Sequence, residues 1–322
     1  MPAKKPKPVS LVIPPDHAGQ RLDQALAAML PEFSRTRLKG WIENGKVLVA
    51  GQQSRPREIV LGGEAVVLTP VIEADERVHA EDIALDIVHE DKHLLVINKP
   101  AGLVVHPGAG NRTGTLQNAL LNFDKKLSLL PRGGLVHRID KDTSGLLVVA
   151  RTLAAHTALT EMIEAHDIQR QYEAVCVGVM TAGGTVDAPI GRHPVDRVKM
   201  SIRSNGREAV THYRVIKRYR AHTHVRLQLE TGRTHQIRVH LAHVGYPLVG
   251  DAVYGRRLLI PKGASNKVAT TLREFHRQAL HAAQLEFIHP VTKKPMTCKA
   301  SMPPDMKQLL KALETDFKEH ST

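Results

Sequence analysis

The segment LVHRIDKDTSGLLVVA, residues 135–150, sets five charged or ionisable side chains, His137, Arg138, Asp140, Lys141 and Asp142, between two apolar runs. Loops at strand ends commonly hold active sites. A single ionised carboxylate can act there as a nucleophile or as a base. The same residues can also make a tight Asp-Thr-Ser-Gly turn whose charges are solvated. Their spacing alone leaves both readings open.

Other candidate chemistry is weaker. GAGNRTG at 108–114 has the pattern GxGxxxG and lacks the GK[ST] ending of a phosphate loop, so a flexible contact loop fits it better than a nucleotide cradle. His235, His240 and His243 lie on or near one predicted helix. No HExxH pattern accompanies them, and Cys176 and Cys298 are far apart in the chain, so neither a metal nor an organic cofactor is expected. No GxSxG motif of a serine hydrolase occurs.

The elements that must hold these residues are readable from periodicity. LDIVHEDKHLLVINKP reads as two β-rich runs around a polar turn, and an apolar helix follows near 115–123. Further β-rich runs cover 146–150, 172–180, 211–216 and 224–230. Helical patterns cover 153–166, 234–244 and 304–319. Without strict βαβ alternation or an internal repeat, the expected class is α+β with a mixed, mostly antiparallel sheet.

Upstream, Leu22, Ala25, Leu26 and Met29 recur at helical spacing, and Pro31 closes that helix. Ser34 suits the N-cap of a second helix with Leu38, Trp41 and Ile42 as its apolar stripe, and Gly45 stands where it would stop. KVLVAGQ supplies a strand. This unit resembles the small RNA-binding module named after ribosomal protein S four, in which basic residues of the second helix grip folded RNA. Arg35, Arg37, Lys39 and Lys46 occupy the matching places, although basic residues on an amphipathic helix are also simply its wet face.

INKPAGLVVHPG, HRIDKDTSG, QYEA and TGRTHQIRVH occur in that order, followed by PLVGDAVYG at 247–255. With these motifs the whole of 85–300 resembles the RluA/RluD family of pseudouridine synthases. The resemblance puts the catalytic aspartate on Asp140, the arginine that helps extrude the target base on Arg138, the active-site tyrosine on Tyr172, and the arginine that pairs with the catalytic carboxylate on Arg238. Ile139 stands where the family usually has leucine, a swap of similar size.

The reaction implied breaks a C–N glycosidic bond, turns the detached uracil and joins its C5 to the same sugar carbon. It needs no redox step and no outside atom, so one carboxylate suffices, by attack on C1′ or by removal of a sugar proton. The target must also leave its stack. Arg138 and Tyr172 are suitable types to fill the gap and face the base.

Composition agrees with a polyanionic partner: Lys and Arg total 45 against 32 Asp and Glu, a net charge of +13. The charge is uneven, +4 over 1–70, −6 over 71–93 and +15 over 94–322. Residues 1–15 are therefore expected as a disordered basic tail and 16–75 as the S-four-like domain. An acidic, solvated linker with the first strand of the next domain should fill 76–90, and the catalytic domain 85–322. The acidic group around Glu73, Asp75, Glu76, Glu81 and Asp82 is read as solvated.

The N-terminal module, VVHPGAGN, RHP at 192–194 and KGAS at 262–265 resemble the family members that act on large-subunit ribosomal RNA. That implies uridines in the intersubunit-bridge stem-loop of 23S ribosomal RNA as substrate, met as RNA or in a pre-50S or 50S particle. A cytoplasmic monomer with no membrane partner is expected. Two other readings share many features: a synthase for another ribosomal or transfer RNA site, and a non-catalytic ribosome-assembly factor, which an intact Asp140, Tyr172 and Arg238 set argues against.

Overall fold

The computed structural model describes residues 8–320 apart from 31, 32, 34, 71–77, 109, 197 and 256. The N-terminal unit comprises β1 (Val9–Val12), α1 (Leu22–Met29), α2 (Arg35–Glu43), β2 (Val47–Val49), β3 (Gln52–Gln53) and β4 (Ala65–Leu68). Its four strands pair in the order β1-β4-β2-β3. Leu22, Ala25 and Leu26 of α1 and Leu38, Trp41 and Ile42 of α2 bury the predicted stripes against Val47, Val66 and Leu68. Gly45, at φ +68, ends α2 in the left-handed region that glycine enters without strain.

Three expectations for this part need correction or fall outside the described residues. The tail ends before residue 9, because Val9 and Leu11 point toward the core while Ser10 and Val12 are exposed, and this alternation builds β1 against β4. The single strand expected in KVLVAGQ is a hairpin, turned by Ala50 and Gly51 at positive φ. Pro31 and Ser34 are not among the described residues.

The larger unit contains β5 (Ile87–Glu90), β6 (Leu94–Lys99), α3 (Leu116–Phe123), β7 (Ser144–Ala150), α4 (Leu153–Glu164), β8 (Gln169–Val177), β9 (Gly184–Asp187), β10 (Ile190–Arg192), β11 (Met200–Ile202), β12 (Val210–Arg218), β13 (His222–Leu229), α5 (Gln236–His243), α6 (Asn266–Glu274), β14 (Leu280–Ile288), β15 (Pro295–Lys299) and α7 (Pro304–Glu319). Its main sheet runs β5-β6-β7-β14-β8-β13-β12-β9, with β15 on β14. Among the described pairings between these strands only β14 with β7 is parallel. The class is thus α+β with a mixed, mostly antiparallel sheet.

Two apolar layers cover the sheet. Leu116 and Leu120 of α3 and Ile237 and Leu241 of α5 pack with Leu147, Val149, Ala174 and Val225 on one side, and Ala155 and Leu159 of α4 with Leu146, Val148 and Leu285 on the other. The acidic stretch is not wholly solvated, as had been expected. Glu81 accepts the Gly114 N–H at 3.0 Å just before α3, while Val78 packs on the main core. Glu73, Asp75 and Glu76 lie outside the described residues.

Candidate active site

Asp140 sits in the loop that enters β7, and this loop is fastened from several sides. Ile139 is buried in the main core. The Lys99 ammonium, fully buried at the end of β6, donates to the carbonyls of Pro100, Leu103 and Lys141 at 2.7–2.8 Å. Burial pushes Lys99 down to about 7, against the opposing pull of Asp142 and Asp140. Arg277 donates to the Asp142 carbonyl at 3.1 Å.

His137 accepts the Val148 N–H at 2.9 Å through Nε2, and burial first, then the Arg170 charge, push it down to about 3, so it is a neutral ring. At Gly145, φ +113, an added Cβ would lie 2.2 Å from the Ala282 carbonyl oxygen; only glycine lets β7 and β14 approach this closely.

Arg238 comes from the buried face of α5. Its Nη1 donates to Asp140 Oδ2 at 3.0 Å, while Nε and Nη2 fork onto Asp251 at 2.8 and 2.9 Å. Asp251 is buried and also accepts the Val253 and Tyr254 N–H groups. Burial opposes its charge, but the Arg238 hydrogen bonds and charge hold its carboxyl below the usual range. Arg238 is held above its usual range by the same two carboxylates, despite burial.

His235, which precedes α5 with φ +57, meets the Tyr254 hydroxyl at 2.8 Å and lies 4.0 Å from Asp140. A side chain held in the left-handed region is costly, and such positions cluster at functional sites. The Arg238 guanidinium also lies over the Tyr254 ring, 5.0 Å from its centroid.

A cavity of about 490 Å³, within the range of small-ligand sites, opens above this pair. Tyr172 of β8 lines it, 6% exposed, and burial pushes its hydroxyl up, with Asp140 adding to the shift and Arg170 opposing it. Arg138, exposed to solvent, stands on the same wall. Asp140, Arg138, Tyr172 and Arg238, named from sequence, therefore converge on one basic cavity. Chemically this is a carboxylate paired with a buried guanidinium and walled by an aromatic ring, in a chamber of nucleotide size whose other carboxylate, Glu164, is exposed.

The three histidines singled out in sequence diverge. Both ring nitrogens of His240 are engaged, by Thr211 and the Ala188 carbonyl, and among the described residues no group of three or more His, Cys, Asp or Glu is placed to hold a metal ion. The four basic residues of the N-terminal module are not equivalent either. Arg35 is paired at 2.9 Å with the buried carboxylate of Asp23, which also holds Arg21. Lys39 pairs with Glu43 at 3.7 Å, and Lys46 is exposed. Arg37 acts electrostatically on His156 of α4. Asp251, Tyr254 and Lys99 were missed as site residues, although DAVYG and INKP were noted as strings.

Comparison with known proteins matches residues 93–243 to the RNA pseudouridylate synthase family and residues 20–66 to the S4 domain. Ribosomal large subunit pseudouridine synthase D of Xanthomonas campestris pv. campestris is 55% identical over 305 residues, 95% of this chain and 92% of that one. The protein of the same name from Escherichia coli strain K12 is 54% identical over 303 residues, 94% of this chain and 93% of that one. Among solved structures, human RNA pseudouridylate synthase domain containing 4 aligns with a TM-score of 0.57 at 30% identity, over 71% of this chain and 93% of that one. Identity at this level, across nearly the full length of both chains, means that the chain belongs to the RNA pseudouridylate synthase family.

Proposed function

We propose that this synthase isomerises uridines of 23S ribosomal RNA, in the stem-loop that bridges the ribosomal subunits, with Asp140 as the catalytic carboxylate. The target enters the cavity as a flipped nucleotide, its base against Tyr172 and the gap filled by Arg138. Asp140 either attacks C1′, forming an ester as the N1–C1′ bond breaks and leaving again when C5 bonds to C1′, or takes a sugar proton as the N1–C1′ bond breaks and returns it once C5 has bonded to C1′. In both routes C5 then loses its proton and N1 gains one. Arg238, fixed by Asp251, holds and aims the Asp140 carboxylate.

The observation that carries this reading is the Asp140–Arg238–Asp251 chain at the floor of a basic, nucleotide-sized cavity. The large-subunit relatives support the choice of RNA. Among the described residues no helix is long and apolar enough to cross a membrane; action as a cytoplasmic monomer, without metal or organic cofactor, completes the proposal. Pseudouridine mapping of ribosomal RNA from cells lacking the protein tests it. Loss confined to the bridge stem-loop is expected. A loss elsewhere, or none, would reject the substrate.

A further inference from the structure

Arg170, two residues before Tyr172 on the same face of β8, is only 5% exposed. A guanidinium carries five N–H donors and is always charged. Of these, Nη2 donates to the Glu230 carbonyl at 2.9 Å, and Nε is buried without any partner. No carboxylate of the described residues pairs with it. The Glu230 side chain is engaged by His212 instead.

Two further arginines crowd the same wall. Arg233 donates to the Glu208 carbonyl at 2.8 Å, and burial together with the charges of Arg207 and Arg170 pulls it down, while Glu208 opposes this. All three arginines line the cavity, whose carboxylates are Asp140, held by Arg238, and the exposed Glu164. Gly232 lets the loop backbone lie against Arg170, since a Cβ there would fall 2.7 Å from Nη1. Like charges gathered around a buried, unpaired cation raise the energy of the empty site, and a bound anion removes that cost.

We infer that Arg170, with Arg207 and Arg233, forms a phosphate subsite that takes a backbone phosphodiester of the RNA beside the target uridine. The inference rests on the reading of the cavity as a uridine site. A phosphodiester is the matching chemistry because its paired oxygens suit the fork of a guanidinium, and RNA supplies one at each sugar. The position fits as well. Arg170 and Tyr172 share the buried face of β8, and both line the cavity together with Asp140, which suits a sugar at Asp140 and its own phosphate at Arg170. Captured there, the backbone is held turned outward while the base enters the cavity.

The experiment walks a single neutral methylphosphonate linkage along a stem-loop RNA, from two nucleotides before the target uridine to two after it, and measures affinity against salt. With the wild-type protein, one linkage should weaken binding about tenfold and flatten the log K against log salt slope by about 0.9. Arg170→Gln should lose the same factor on unmodified RNA and lose nothing further on that linkage. Gly232→Ala, which crowds Nη1, should copy it and replaces it if Arg170→Gln does not fold. If neither folds, the wild-type scan decides alone. Indifference of the wild type to every linkage overturns the subsite, as do losses that multiply in Arg170→Gln. Failure of the wild type to make pseudouridine in the unmodified stem-loop would instead reject the functional reading.

Discussion

Arg238 touches Asp140 through Nη1 alone, at 3.0 Å, because its other edge is locked on Asp251. The guanidinium is thus oriented from behind, and the proposed catalytic carboxylate receives a fixed donor without immobilising a flexible chain. Asp251→Asn keeps the shape but removes the charge that holds this edge. The variant should fold with stability lowered by about 3 kcal/mol, as expected when one partner of a buried pair is lost. Its single-turnover rate should fall at least about tenfold, a barrier increase of about 1.4 kcal/mol. Thermal melts and rapid-quench pseudouridine assays check both; an unchanged rate would show that Arg238 needs no support.

Asp23 makes Arg35 and Lys46 distinguishable. Arg35→Ala leaves a buried carboxylate with Arg21 as its remaining arginine partner, so the N-terminal unit should lose about 1–3 kcal/mol. Lys46→Ala, at an exposed position, should change stability by no more than about 0.5 kcal/mol and act only on RNA affinity. Denaturant melts of the two variants, followed with RNA titrations, separate structural from RNA-facing cations. Equal stability losses would contradict the assignment.

His222 is fully buried with both ring nitrogens unpartnered, and burial pushes it down to about 4 although Asp316 pulls the other way. The unfolded ring takes a proton near pH 6.5 while the folded one stays neutral to about pH 4. Its effect therefore lowers stability as pH falls through 6.5, and the loss levels off below about 4. His222→Leu removes this contribution and the unsatisfied nitrogens together. Relative to wild type it should gain about 2 kcal/mol more at pH 5 than at pH 8, measured by urea melts at both values. A gain that does not depend on pH would mean that the ring takes up its proton in the fold as it does in the unfolded chain.

Much of the site was legible because its parts are local strings. HRIDKDTSG carries Arg138 and Asp140, QYEA carries Tyr172 and TGRTHQIRVH carries Arg238, and the periodicity around them marks β7, β8 and α5. What escaped depends on tertiary neighbours. In DAVYG, Asp251 reads as a polar turn residue, and only the fold makes it a buried partner of Arg238. Lys99 ends an apolar strand like any solvated lysine, yet its ammonium is enclosed by three carbonyls. LHAAQLEFI was not read as a strand, since its alanines and leucines carry little β signal; β14 is fixed by lying between β7 and β8, where Gly145 admits it. Val9–Val12 was read as tail because four residues show too little alternation to stand out from the lysines and prolines before them.

Asp140→Asn tests the central claim most directly. The substitution preserves size and can still accept from Arg238, so the fold and the phosphate contacts should persist. Single-turnover pseudouridine formation on a bridge stem-loop, with RNA affinity measured in parallel, should show activity below about 1% of wild type, since losing an essential nucleophile or base costs several kcal/mol of barrier. Affinity should stay within a few-fold, because phosphate contacts supply binding. Activity well above that level in a folded variant would contradict Asp140 as the group that does the chemistry.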